Sequence, residues 1–311
     1  MSTLYQVDYD LMHRRMGHPS EDVLRQVQKH TANFPKGLSF NQRQSICRGC
    51  AEAKMHLPTF KESTSRASSK FELIHSDLKE LPTISYHKYK WFITFFDDFS
   101  SYSWVSLLRK KSDAYDAIIN FLAMVRNQHN ASVRIFMSDA GGEFKSDALV
   151  AKFKELGIKT RTSVPNMHQQ NGRAERLNRT LMEKAQALRF DACLPQNWWE
   201  FAVEYAVHVY NRTPIKRLMW HTPFEVLNGE LPDISHLRVF GCGAYVFIPE
   251  EVRVNKLAPR AEVMTFLSYT DGTKGFKFMR KPNNIIFHAV TALFDEYMFP
   301  HCPDNISPGH T

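Results

Sequence analysis

The chain has 311 residues, a hydrophobic fraction of 43% and an aromatic fraction of 13%. This length and apolar content suffice for two or three folded domains and exclude the interpretation that the chain is a disordered tail. No apolar run approaches the ~20 residues of a membrane-spanning helix, and the opening MSTLYQVDYDLMHRR lacks the apolar stretch of a signal peptide. The net charge of +8 favours a polyanionic partner such as nucleic acid. Five cysteines with a single close pair do not form a disulfide framework, so we expect a cytosolic or nuclear protein without a membrane partner.

The first 60 residues are rich in histidine and basic residues and carry a candidate metal site. His13 and His18 are followed by the knuckle Cys47-Arg-Gly-Cys50. On a continuous helix the two histidines would point ~140° apart, but the Gly-His-Pro sequence around His18 breaks such a helix and lets both imidazoles converge. Two imidazoles and two thiolates suit one tetrahedral zinc ion. The alternative is that the cysteines are ordinary thiols and the histidines lie on the surface.

A polar connector, KESTSRASSK at residues 61–70, precedes a region in which strands and helices alternate. In chain order the pattern predicts a strand in FELIHSDL, a hairpin in YKWFITFFDDFSSYSWVSLL, a helix in SDAYDAIINFLAMVRNQ, a strand in VRIFMSDAGGEF, a helix in SDALVAKFKELGI and a strand in IKTRTSV. Strands first and β–α–β alternation afterwards predict an α/β fold with a mixed sheet flanked by helices.

Two helices and then strands alone complete the chain. RAERLNRTLMEKAQALRF and NWWEFAVEYAVHVYN have helical spacing, and we interpret the aromatic residues of the second as core packing. From residue 236 only strands are predicted, separated by the turn signals DG and NN. We therefore assign residues 71–235 to a core with trailing helices, 236–299 to a small β-barrel and 300–311 to a tail.

Three acidic residues are candidate ligands for catalytic metal ions. Asp77 closes the first strand, Asp139 closes the strand before two glycines, and Glu175 begins the first long helix, with 35 residues between the last two. Metal-dependent phosphoryl transfer needs acidic oxygens that converge from different elements, because divalent cations then clamp the attacking and leaving oxygens. Singly, each acid also fits a structural role, as a strand-end cap, a turn former and an i,i+4 partner of Arg179 respectively. The rival pair Asp97-Asp98 lies at a hairpin turn, which favours a structural role.

In this order, the motifs resemble the integrases of retroviruses and LTR retrotransposons, and the copia-like subgroup most closely. HRRMGHPS and CRGC resemble the zinc finger that precedes the core, and HSDL, FFDDFSSYSWV and SDAGGEF resemble the core itself. QQNGRAERLNRTL, NRTP, FGCGAYVFIP and KGFKF continue the likeness, which covers most of the chain. Two positions depart from the family pattern, since Ala140 stands where Asn is common and Met12 where Trp is common.

The resemblance implies an RNase H-like fold with a mixed five-stranded sheet flanked by helices. A zinc-binding helical domain over residues 1–60 would precede it, and the small β-barrel would follow. Asp77, Asp139 and Glu175 would hold two Mg²⁺ or Mn²⁺ ions, one activating water or a DNA 3′-hydroxyl and the other stabilising the leaving oxygen. One structural Zn²⁺ would be held by His13, His18, Cys47 and Cys50.

The implied activity is DNA integration by a polynucleotidyl transferase and endonuclease, which trims the 3′ ends of element DNA and joins them to target DNA. Phosphate contacts are expected from Arg173, Arg176 and Arg179. The family works as multimers on DNA, so we expect a homo-oligomer, nuclear localisation and an earlier cytoplasmic particle stage. The chain would be a fragment of a Gag-Pol polyprotein, a degraded copy or a domesticated protein. A non-catalytic nucleic-acid-binding protein and an RNase H-like nuclease are the alternatives.

Overall fold

The computed structural model describes residues 66–139, 141–162, 172–270, 275–281 and 283–306, with a few single positions before residue 66. The chain divides into two compact units, Met1–Ser63 and Thr64–Thr311. The fold described below belongs to the second unit. Several positions singled out in the sequence lie outside the described residues, namely Met12, His13, His18, Cys47, Cys50 and Ala140. The zinc-binding domain therefore stays a prediction.

Five strands form a mixed sheet in the first half of the second unit. They are β1 (Leu73–Glu80), β2 (Trp91–Asp97), β3 (Ser103–Leu108), β4 (Ile135–Ser138) and β5 (Lys159–Thr162), in the order β3-β2-β1-β4-β5. β1, β2 and β3 are antiparallel neighbours, whereas β4 runs parallel to β1 and β5 parallel to β4. β2 is buried along almost its whole length, which explains its nearly continuous apolar sequence. The predicted mixed five-stranded sheet is confirmed.

Helices cover both faces of this sheet. They are α1 (Ala114–His129), α2 (Asp147–Glu155), α3 (Gly172–Asp191), α4 (Trp199–Arg212) and α5 (Pro223–Asn228). Phe95 of β2 stacks on Phe121 of α1 with ring centroids 4.2 Å apart, while Phe92, on the opposite face of β2, packs against Trp199 of α4. No helix within the described ranges is long and apolar enough to cross a membrane.

Five further strands form an antiparallel sheet. They are β6 (Gly243–Phe247), β7 (Ala261–Tyr269), β8 (Phe276–Arg280), β9 (Ile285–Ala289) and β10 (Ala292–Asp295), in the order β10-β6-β7-β8-β9. Among the described residues β9 and β10 are the two edges of this sheet, so its closure into a barrel stays a prediction. Cys193, Cys242 and Cys302 are free thiols.

α4 lies between the two sheets and is buried on both sides. Trp199 packs on the first sheet, and Tyr205 packs edge-to-face on Phe266 of β7. Gly241 lies where the chain leading into the second sheet passes the end of α3. Its φ is +78°, a conformation that strains any residue with a side chain, and a Cβ there would lie 2.2 Å from the Cβ of Ala192, so only glycine fits. Buried side chains of both sheets form one continuous core around α4. The domain boundary at residue 236 stays a prediction.

Candidate active site

Asp77 lies in β1, and Asp139 directly follows the end of the adjacent parallel strand β4. The register of β1 and β4 pairs His75 with Met137, and continuing it by two residues sets Asp77 opposite Asp139. Residues two apart on a strand share a face, and neighbouring strands lie ~4.8 Å apart, so both carboxylates emerge side by side. Asp139 Oδ1 accepts a hydrogen bond from Gly141 N at 3.0 Å. Asp139 thus also has the turn-forming role that its sequence position suggests.

A buried asparagine ties the helix that carries Glu175 to Asp77. Asn178, one turn after Glu175 on α3, donates a hydrogen bond from Nδ2 to Asp77 Oδ2 at 2.8 Å. Its Oδ1 accepts a hydrogen bond from Thr94 Oγ1 at 2.9 Å, and Thr94 is the β2 neighbour of Asp77 in the sheet. Asn178 was not predicted from the sequence. The signal was a polar residue at the edge of the apolar stripe of α3, three residues after the candidate ligand.

The charges of Asp139 and Glu175 both act on the Asp77 carboxylate. Burial raises the pKa of Asp77, and the nearby charges of Asp139 and Glu175 raise it further, against the hydrogen bond from Asn178, which lowers it. No described Lys or Arg forms an ion pair with any of the three acids. In the described part of the chain no three His, Cys, Asp or Glu side chains lie close enough together to hold a metal ion as they stand. The three acids therefore concentrate negative charge in one region, but as they stand they do not surround a common point closely enough to coordinate a metal ion.

The helix α3 presents Glu175 to solvent in its first turn. The described ion pairs do not join it to Arg179, so the i,i+4 alternative does not explain this acid. Arg176 and Arg179 are exposed, whereas Arg173 is mostly buried in an ion pair with Asp98. The DNA contacts of all three arginines stay predictions.

The rival acidic pair at the β2–β3 turn has structural partners. Asp97 accepts two backbone N–H hydrogen bonds at 2.8 Å. Asp98 is buried and accepts a hydrogen bond from Ala67 N at 2.9 Å, pairs with Arg173, and lies 3.4 Å from His75 Nε2, which is close but not aligned as a hydrogen bond. Burial alone would raise the pKa of Asp98, but these three partners outweigh burial and hold it well below its usual value.

Comparison with known protein families places the two aspartates within a recognised domain. The model of the integrase core domain family matches residues 67–168. The chain carries an integrase core domain. The family model of the retroviral polymerase SH3-like domain matches residues 242–307, so the second sheet of this chain corresponds to that domain.

Curated relatives of this chain include retrovirus-related Pol polyproteins of plant transposons. The chain is 31% identical over 294 residues to that of transposon RE2 from Arabidopsis thaliana, covering 94% of this chain and 20% of the relative. It is 31% identical over 295 residues to that of transposon TNT 1-94 from Nicotiana tabacum, covering 94% of this chain and 22% of the relative. The chain thus spans about a fifth of the length of these relatives.

Among solved structures that match, one has a similar fold over most of this chain. A chain in the simian T-cell lymphotropic virus intasome, solved in complex with PP2A regulatory subunit B56 gamma, superposes with a TM-score of 0.52. The match covers 93% of this chain and 98% of the other at 14% identity. At that identity the likeness concerns the fold alone.

Proposed function

We propose that this chain is the integrase segment of a retrotransposon Pol polyprotein, which trims the 3′ ends of element DNA and joins each 3′-hydroxyl to target DNA. The observation that carries the proposal is the hydrogen bond by which Asn178 ties the Glu175 helix to Asp77. The β1–β4 register, continued by two residues, sets Asp139 beside Asp77, and the charges of Asp139 and Glu175 both act on Asp77. The integrase core match and the Pol polyprotein relatives support the same reaction class.

The donor chemistry of the site fits divalent cations. Mg²⁺ and Mn²⁺ prefer carboxylate oxygens, and neighbouring carboxylates repel one another unless a cation or a proton lies between them. Burial is the main cause of the raised pKa of Asp77, and the charges of Asp139 and Glu175 raise it further, which is the part that such repulsion contributes. We assign these three residues as ligands of two Mg²⁺ or Mn²⁺ ions. When bound, such ions act as Lewis acids that offset charge on the attacking and leaving oxygens of a phosphodiester.

The chain's own groups orient the carboxylates and the DNA. Asn178 Nδ2 holds Oδ2 of Asp77, and Gly141 N holds Oδ1 of Asp139, so neither carboxylate rotates freely. Fixed orientation lowers the entropic cost of placing a phosphodiester for in-line attack. The exposed arginines that follow Glu175 on α3, Arg176 and Arg179, would contact the DNA backbone.

The remaining assignments follow from the same proposal. His13, His18, Cys47 and Cys50 would hold one structural Zn²⁺, which suits a short segment with little apolar content. A joining reaction that uses two DNA ends favours more than one copy of the chain. Because the target is chromosomal DNA, we propose a nuclear site of action after a cytoplasmic particle stage.

A strand-transfer assay with a matched pair of variants tests the proposed function. The purified chain is incubated with labelled duplex ends and a plasmid target, in Mn²⁺ and then in Mg²⁺. Glu175→Gln removes a proposed ligand, while Glu183→Gln changes an exposed acid on the same helix. We expect joined product from wild type and from Glu183→Gln, and none from Glu175→Gln.

Three results would count against the proposal. Equal product from both variants would remove Glu175 from the site. Cleavage of an RNA–DNA hybrid without joining would indicate a nuclease of the same fold. DNA binding without product from any protein, tested with the terminal sequences of the parent element, would indicate a non-catalytic binding protein.

A further inference from the structure

The outer face of the second sheet carries an apolar and acidic hollow at its β10 edge, called here the β10 pocket. It has a volume of about 460 Å³ and is lined by Tyr245, Leu293, Phe294, Asp295, Glu296 and Tyr297. Leu293 of β10 lies directly opposite Tyr245 of β6, so both side chains share the outer face. Leu293 is 76% exposed and Tyr297 84% exposed. Apolar side chains this exposed, grouped around one hollow, are typical of a binding surface.

The two acids of the β10 pocket are held in place but are not neutralised. Asp295 Oδ1 accepts a hydrogen bond from Tyr297 N at 3.2 Å, and Glu296 Oε2 accepts one from Val239 N at 2.8 Å. The nearby Arg238 donates instead to backbone carbonyl oxygens. No described Lys or Arg forms an ion pair with either acid. The guanidinium of Arg238 lies 5.3 Å from the centroid of the Phe294 ring rather than on either carboxylate. The pocket therefore combines exposed apolar side chains with two carboxylates that no described Lys or Arg pairs, a combination that suits a segment both apolar and basic.

A segment of that kind lies in the same domain, in the loop between β6 and β7. Val254 is 94% exposed and Leu257 is 97% exposed, with Lys256 between them. The tip is fixed by Asn255, whose side chain accepts a hydrogen bond from Leu257 N at 2.9 Å and whose carbonyl accepts one from Ala258 N at 3.1 Å. Covering these two aliphatic side chains would remove apolar surface from water, so a partner that fits the ordered turn would gain stability from binding it.

The loop and the pocket of one chain lie at opposite ends of the same strand. The loop leaves β6 after Phe247, which pairs with Ala261, whereas the acidic end of the pocket begins at Asp295, which pairs with Gly243 at the start of β6. The four-residue separation along β6 corresponds to ~13 Å at ~3.3 Å per residue. The loop is exposed rather than folded back onto its own pocket.

We propose that the β6–β7 loop of one copy docks into the β10 pocket of a second copy of this chain. Val254 and Leu257 would cover Leu293 and Tyr297, and Lys256 would approach the acids beside them. The complementarity of charge and of apolar character, both present on one chain, selects a second copy as the occupant. Because two different surfaces meet, the contact is head-to-tail, and each added copy leaves a free loop and a free pocket.

This contact adds a surface for assembly to the proposed function. It rests on that function in one respect, namely that DNA integration uses several copies of the chain. The contact between the β6–β7 loop and the β10 pocket is small, so the association should be weak. Weak association suits copies that assemble when bound to DNA and stay apart at low concentration in its absence. The existence of the contact is measured without DNA, so its failure is distinguishable from failure of the proposed enzymatic activity.

Sedimentation velocity of the full 311-residue chain, at rising concentration and without DNA, tests the contact with two complementary variants. The loop variant carries Val254→Ser and Leu257→Ser, and the pocket variant carries Leu293→Ser and Tyr297→Ser. All four side chains are exposed, so both proteins should melt at the wild-type temperature. Val150→Ser, at a half-exposed position on α2, is the matched control.

We expect wild type and Val150→Ser to associate progressively, and each double variant alone to associate at least about tenfold more weakly. Mixing the two double variants should restore one contact, because the intact loop of the pocket variant meets the intact pocket of the loop variant. The product should be a heterodimer that grows no further. Wild-type association in either variant, a monomeric wild type throughout, or a mixture without heterodimer would each overturn the proposal.

Discussion

Replacing Asn178 by alanine removes two hydrogen bonds at once and isolates the role of this residue in the active site. The bond to the Asp77 carboxylate contributes ~1.5 kcal/mol, the low end of the range for charged partners because Asp77 is only partly buried, and the bond from the Thr94 hydroxyl contributes ~0.5–1 kcal/mol. The free energy of unfolding should fall by about 2 kcal/mol. For a folded unit of this size that corresponds to a loss of ~4–8 °C in melting temperature.

The same variant should change the pH dependence of strand transfer. The hydrogen bond from Asn178 lowers the pKa of Asp77, so its removal raises that pKa further above the usual carboxyl value. Protons then compete with cations for Asp77 at higher pH. We expect the acid limb of the activity profile to move to higher pH and the rate at neutral pH to fall by about tenfold, since ~1.4 kcal/mol corresponds to a factor of ten. The KM for DNA should change little.

Asn211→Ala is the matched control for this prediction. Asn211 is equally buried and also makes two hydrogen bonds, both to the backbone of Ser103 on β3, at 2.8 and 2.9 Å. Its loss should lower the melting temperature by a similar amount and leave the acid limb in place. An identical acid limb in wild type, Asn178→Ala and Asn211→Ala would refute the positioning role of Asn178.

Three further predictions follow from charges and metal ions. Arg173→Ala should destabilise the fold by about 3 kcal/mol because it leaves Asp98 buried without its cation; an unchanged urea midpoint would contradict this. Burial, with the charges of Arg212 and His236, lowers the pKa of His208 to about 3, so the unfolded chain binds the extra proton between about pH 6.5 and 3. The free energy of unfolding should therefore fall as pH falls through that window. Its dependence on pH, measured by urea titration, should be weaker in His208→Gln than in wild type, and an equal dependence in both proteins would exclude His208 as the cause. Removing zinc with a chelator should unfold the first unit and leave the melting transition of the second intact. A circular dichroism spectrum that does not change when the chelator is added would argue against a zinc finger.

Local patterns predicted the secondary structure because each element carries its own periodicity. The apolar run of β2 and the helical spacing of α3 and α4 are visible without any knowledge of the partners they pack against. α5 was missed although its signal is present, since Thr222 is followed by proline and by Glu225, and the Thr222 hydroxyl accepts a hydrogen bond from Glu225 N at 3.0 Å.

Pairings between distant segments could not be derived from those patterns. That β4 lies beside β1 depends on which strands meet across the sheet, and the sequence pattern does not encode this. The three arginines of α3 looked alike in the sequence, yet Arg173 turns towards Asp98 while Arg176 and Arg179 stay exposed. Asn178 was missed for the same reason, because its positioning role depends on hydrogen bonds with Asp77 and Thr94, which are distant in the sequence.

The burial of α4 between the two sheets has a consequence for how this protein evolves. Neither sheet can be exchanged for a foreign one at residue 236 without exposing side chains such as Tyr205 and Phe266, which pack across the junction. A crossover just before α4 would separate Trp199 from Phe92 of the first sheet, so it disrupts the same core from the other side. Recombination between elements should therefore yield folded chimaeras only when α4 and the residues it packs on in both sheets come from the same parent. The block that is inherited together is then the helix with both sheet surfaces, larger than either sheet alone.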